Sequence, residues 1–110
     1  MRKPSATDFT ITLPDVGDFV FARRTMGDLL KIRTNFLLLT GEQGNTDDEL
    51  AFFGAFMSAY PVLAVSCPAG WEDIGAVDAA THSLNIISLS KLLRDKEDSF
   101  RSTERVPSTE

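Results

Sequence analysis

The chain has 110 residues, one cysteine and a net charge of −5, with 43% apolar and 25% charged side chains. A chain of this length buries roughly two thirds of its unfolded surface, enough for one modest core, and this ordinary composition excludes wholesale disorder. The lone Cys67 excludes an internal disulfide framework and a cysteine-based zinc site, and suits a reducing compartment.

The placement of charge narrows the partners further. Residues 1–33 hold six basic and four acidic side chains, and residues 91–110 hold five of each. Between them, residues 34–90 carry seven acids and no Lys or Arg. Nucleic-acid binding needs clustered cations to replace condensed counterions, so DNA and RNA are not expected partners, nor is an anionic membrane surface.

The opening MRKPSATD is basic but has no apolar stretch behind it, unlike a secretory signal. Residues 1–8 and 101–110 are polar and are expected to be mobile, leaving a single α+β domain over residues 9–100. Phe9-Thr10-Ile11-Thr12-Leu13 alternates apolar and polar residues, which predicts a half-buried strand. Pro14-Asp15-Val16-Gly17-Asp18 has turn chemistry and Phe19-Val20-Phe21-Ala22 resumes the strand pattern, giving a β-hairpin.

Thr25 caps a predicted helix from about Met26 to Leu39, with Gly41 as its stop. Met26, Leu29, Leu30, Phe36 and Leu37 share one face, and Asp28, Lys31 and Asn35 lie opposite. Arg33 falls inside the apolar arc, where it must snorkel or meet a carboxylate. A loop over residues 41–45 leads to Thr46-Asp47-Asp48-Glu49, which has the form of a capping box.

The following stretch, Leu50 to Trp71, contains no charge. On a helical wheel Leu50, Phe52, Phe53, Phe56, Met57, Tyr60 and Leu63 form a bulky half. Ala51, Gly54, Ala55, Ser58, Val62 and Ser66 form a small one that permits close backbone approach. Pro61 is expected to kink this helix, and Pro68 and Gly70 to end it. Trp71 docks through a short turn. A last helix runs from about Asp78 or Ala79 to Phe100, with His82, Ile86, Leu89, Leu93 and Phe100 at seam spacing and Lys96 between the last two. The fold class is therefore α+β and mostly helical, an N-terminal hairpin with about three α-helices.

No catalytic constellation emerges. Cys67 and His82 read better as a buried thiol and a seam imidazole than as a nucleophile and its base. Asp47, Asp48, Glu49, Glu72 and Asp73 read better as helix-end and turn residues than as an acid–base pair. No calcium loop, phosphate cradle or nucleophile elbow is present, so neither metal nor cofactor is expected. The 18 uncharged residues 50–67 reach the lower limit for a membrane span, but their alanines, serines and acidic flanks favour burial in a folded domain. A helix without a wet face needs more cover than a small domain readily supplies. Phe52, Phe53, Phe56, Met57, Tyr60 and Trp71 are accordingly the expected partner-binding residues.

The order of parts is similar to a known family. The hairpin Phe9–Asp15, the helix opening Arg24-Thr25-Met26-Gly27-Asp28-Leu29-Leu30, the acidic loop and aromatic helix all contribute. So do Pro68-Ala69-Gly70-Trp71 and the closing Lys96-Glu97-Asp98-Ser99-Phe100-Arg101. Together, over about residues 9–101, they resemble the tail assembly chaperones of long-tailed bacteriophages. The resemblance implies a non-enzymatic helper in the host bacterial cytoplasm that self-associates, binds the tape measure protein and assists tail tube subunits around it. It also implies a longer, frameshifted form. The alternatives are a structural tail or connector component and a small membrane-active protein spanning residues 50–67.

Overall fold

A computed structural model describes residues 1–41 and 46–104. The chain divides into two compact units, Met1–Val77 and Asp78–Glu110, where the sequence reads as one domain over residues 9–100. The acidic loop at residues 42–45 and the tail at residues 105–110 lie outside the described residues.

In the first unit the alternating pattern produces the expected hairpin. Strand β1 (Phe9–Leu13) pairs antiparallel with β2 (Gly17–Phe21), with Phe9 opposite Phe21 and Leu13 opposite Gly17. Phe9, Ile11, Leu13, Phe19 and Phe21 all face inward, as the two-residue period requires. Asp15 at φ 68° turns the chain, and Gly17 at φ 138° could carry no side chain, because a Cβ there would lie 2.9 Å from Pro68 Cγ. A third strand, β3 (Ala64–Ser66), adds antiparallel to β2, giving the order β1-β2-β3.

Helix α1 (Met26–Thr40) starts and stops where its caps dictate. The Thr25 hydroxyl accepts from Asp28 N at 3.1 Å and the Asp28 carboxylate accepts from Thr25 N at 2.9 Å, a reciprocal box. At the other end Gly41 is the C-cap. Helix α2 (Asp48–Leu63) begins one residue later than the sequence suggests, because Asp47, not Thr46, accepts from Leu50 N at 3.0 Å. It runs unbroken through Pro61 but ends at Leu63, so residues 64–66 are strand and not a continuing helix. The single span over residues 50–67 is thereby excluded. Among the described residues no helix is long and apolar enough to cross a membrane.

The core is an aromatic cluster between the inner sheet face and α2. Phe19 stacks on Phe21 at 6.2 Å and meets Trp71 edge-on at 5.2 Å, while Tyr60 lies edge-on to Phe21 at 5.9 Å. The Tyr60 hydroxyl donates to the Trp71 carbonyl at 2.9 Å, which joins the end of α2 to the turn before the short 3-10 helix Ile74–Ala76. Burial, with smaller effects of Cys67 and Glu72, pushes the Tyr60 phenol far above its ordinary range.

The polar N-terminus is tied to this unit. Arg2 N donates to Ala64 O at 3.1 Å, and its guanidinium reaches Asp28 Oδ1 at 2.9 Å and Val62 O at 3.3 Å. Burial alone would raise the Asp28 carboxyl. Hydrogen bonds from Thr25 and Arg2 and the Arg2 charge together hold it below the ordinary carboxylate range. The Asp28 contribution to stability is therefore complete above about pH 4, the unfolded value, and is lost as pH falls through the lower folded value. Arg2→Ala is expected to cost about 2 kcal/mol at neutral pH, the worth of charge-assisted hydrogen bonds, and to flatten the acid limb of the stability–pH curve. Urea titrations from pH 2 to pH 7 check both; an acid limb unchanged by Arg2→Ala would contradict this assignment.

The second unit is the 26-residue helix α3 (Ala79–Glu104) and its lead-in. The Asp78 carboxylate accepts from the Thr81 hydroxyl at 2.6 Å and from Thr81 N at 2.8 Å, and these bonds lower its pKa. Ile86, Leu89 and Leu93 of the expected seam are buried, and His82 and Phe100 are half-buried.

Candidate functional site

Among the described residues most of the exposed large apolar side chains lie on α1, and none lies on α2. The expected aromatic strip is largely enclosed: Phe56, Tyr60 and Trp71 are 4%, 1% and 4% exposed and belong to the core. Phe52 and Phe53 are half-buried and meet edge-on at 5.2 Å, and Met57 is half-buried beside α1. Three of the six expected partner-binding residues are therefore closed to a partner. The reason is the hairpin, whose inner face supplies Phe19 and Phe21 as ring partners for Tyr60.

Helix α1 is turned so that most of its apolar arc is exposed, with Phe36 of that arc still facing α2. Its inward side carries Asp28, Ile32 and Thr40, with Asn35 and Phe36 half-buried. Met26, Leu30 and Leu38 are 75%, 68% and 81% exposed, and Leu29, Leu37 and Leu39 are 44%, 52% and 53% exposed. Two local features set this rotation. Asp28 is drawn inward by Arg2 and by its own capping bonds. The small residues Gly54 and Ser58 of α2 allow close approach and receive Thr40, Phe36 and Asn35 of α1. A Cβ on Gly54 would lie 2.7 Å from Thr40 Cγ2 and 3.2 Å from a Phe36 ring carbon, and Asn35 Nδ2 donates to Ser58 O at 3.3 Å.

An open groove of about 460 Å³ runs between the helices, lined by Asn35, Leu38, Leu39, Met57, Ser58 and Pro61. The Pro61 ring is exposed and forms part of its wall. Met57 is the only expected partner-binding residue that lines this groove. Two residues of its lining, Leu38 and Leu39, are themselves among the exposed leucines of α1. Apolar side chains exposed in this number along one helix are a common mark of protein association.

Sequence reasoning passed over this face, although one signal was available. Leu37-Leu38-Leu39 are consecutive, so at 100° per residue they fan over 200° of the helix and cannot all point into a core on one side.

Asp47, Asp73 and Asp78 accept backbone N–H bonds at helix or turn starts, Glu72 accepts from Gly70 N, and among the described residues no group of three or more His, Cys, Asp or Glu side chains converges on a metal position. Set against protein-family models, curated proteins and solved structures, the chain matches none.

Proposed function

We propose that this protein is a non-enzymatic assembly chaperone of the phage-tail type, which shelters apolar helical segments of a tape measure protein while tail tube subunits assemble around it. The observation that carries the reading is the outward rotation of α1, which presents six large apolar side chains to solvent beside an open groove. Burying one exposed leucine at an interface is worth roughly 1.5–3 kcal/mol, so a few of these positions suffice for useful affinity. The resemblance in the order of elements supports the choice of partner, and the host cytoplasm is the corresponding place of action.

Co-expression tests it. A tape measure protein that is insoluble alone is expected to become soluble and to co-purify with this chain. Unchanged solubility would remove the reading's main support, and recovery of the chain in purified virions would favour a structural tail component instead.

A further inference from the structure

Along α1, residues 26, 30, 33 and 37 recur at spacings of four, three and four, the spacing of a helix-packing seam. All four are exposed. Three are Met26, Leu30 and Leu37; the fourth is Arg33, set in the middle. Arg33 makes no ion pair among the described residues. The only carboxylate of α1, Asp28, is buried on the opposite side and held by Arg2. The outer face of α1 is thus apolar with a cationic centre, on a chain whose net charge is −5.

From this charge pattern we infer that the seam takes an amphipathic α-helix of another protein, one with apolar residues at four–three spacing and a carboxylate opposite Arg33. The inference rests on the protein-binding reading above and specifies the chemistry of the partner. A guanidinium enclosed by a helix–helix contact requires a fork-shaped anionic acceptor, and a Glu or Asp side chain provides it with two parallel hydrogen bonds. A second copy of α1 cannot provide it. Packed parallel, its Arg33 would face the first Arg33; packed antiparallel about the seam centre, each Arg33 would face a Leu30. Either arrangement leaves two cations without a carboxylate, which is strongly unfavourable when they lose water.

The test uses the full chain and two synthetic amphipathic helices of identical leucine seam, one with Glu and one with Lys at the central seam position. Fluorescence anisotropy reads binding and circular dichroism confirms that each variant is folded. The Glu helix is expected to bind the natural chain about ten-fold tighter than the Lys helix or better, as close interfacial charge pairs do. Arg33→Glu should reverse that order, and Leu37→Asp should weaken both helices. Equal binding of the two helices, both lost in Leu37→Asp, would overturn the carboxylate specificity and leave the docking surface standing. Binding of neither helix, together with a dimer that Leu37→Asp dissociates, would overturn the inference in favour of self-association through α1.

Discussion

Leu30→Asp combined with Leu37→Asp is expected to abolish capture of an apolar helical partner while the melting temperature of the chain itself moves by no more than about 3 °C. The two leucines are 68% and 52% exposed, so the folded chain loses little when they change. A partner that covers them loses roughly 2–4 kcal/mol of apolar burial, a weakening of about 30- to 900-fold, before the cost of desolvating two new carboxylates. Co-purification of a tape measure protein and thermal melts of the free chain measure the two halves of this expectation. Phe52→Ala with Phe53→Ala is the matching control on α2. Should that pair abolish capture while the α1 pair leaves it intact, the docking surface belongs on the aromatic helix after all.

The largest loss of stability is expected from Phe19→Ala, at roughly 3–5 kcal/mol. Phe19 has no exposed surface and sits among Phe21, Tyr60 and Trp71, with ring centres 6.2, 6.3 and 5.2 Å away. Its removal leaves a cavity bounded by rings that are themselves held, Tyr60 by the hydrogen bond to Trp71 O. Collapse into the space is correspondingly limited. For a domain whose whole stability is of the order of 5–15 kcal/mol, such a change populates the unfolded state in mild denaturant. Equilibrium urea unfolding measures it; a loss below about 1 kcal/mol would show that the aromatic cluster is not the centre of the core.

These two results would separate the roles of residues that look alike in composition. Phe19 and Leu30 are both large and apolar, and both lie in segments with clean periodicity. One is enclosed by three rings and the other stands in solvent, and only the packing of the elements distinguishes them. The acidic transition expected from Asp28 adds a third distinction. This carboxylate, on the polar side of the helical wheel, is turned into the fold and holds the N-terminus to the start of α1.

Local chemistry along the chain determined the α+β, mostly helical class, the hairpin with its inward Phe9, Ile11, Leu13, Phe19 and Phe21, and the start and stop of α1 at Thr25 and Gly41. It also determined the seam of α3 and the close-approach face of α2 at Gly54 and Ser58. Each of these depends on neighbours a few residues apart: a two-residue alternation, a cap bonded three residues on, a repeat of three and four. The rotation of α1 about its own axis and the third strand were decided only by tertiary structure. Periodicity states which residues of a helix share a face but carries no information on which face meets the core. That choice came from Arg2 reaching Asp28 across 26 residues and from Thr40 filling the space left by Gly54. Strand β3 has only three residues and exists because the open edge of β2 pairs with it, a partner more than 40 residues away in sequence. The exposure of the α1 leucines is a consequence of those long-range contacts, since packing Asp28, Ile32, Phe36 and Thr40 against the fold leaves them outside.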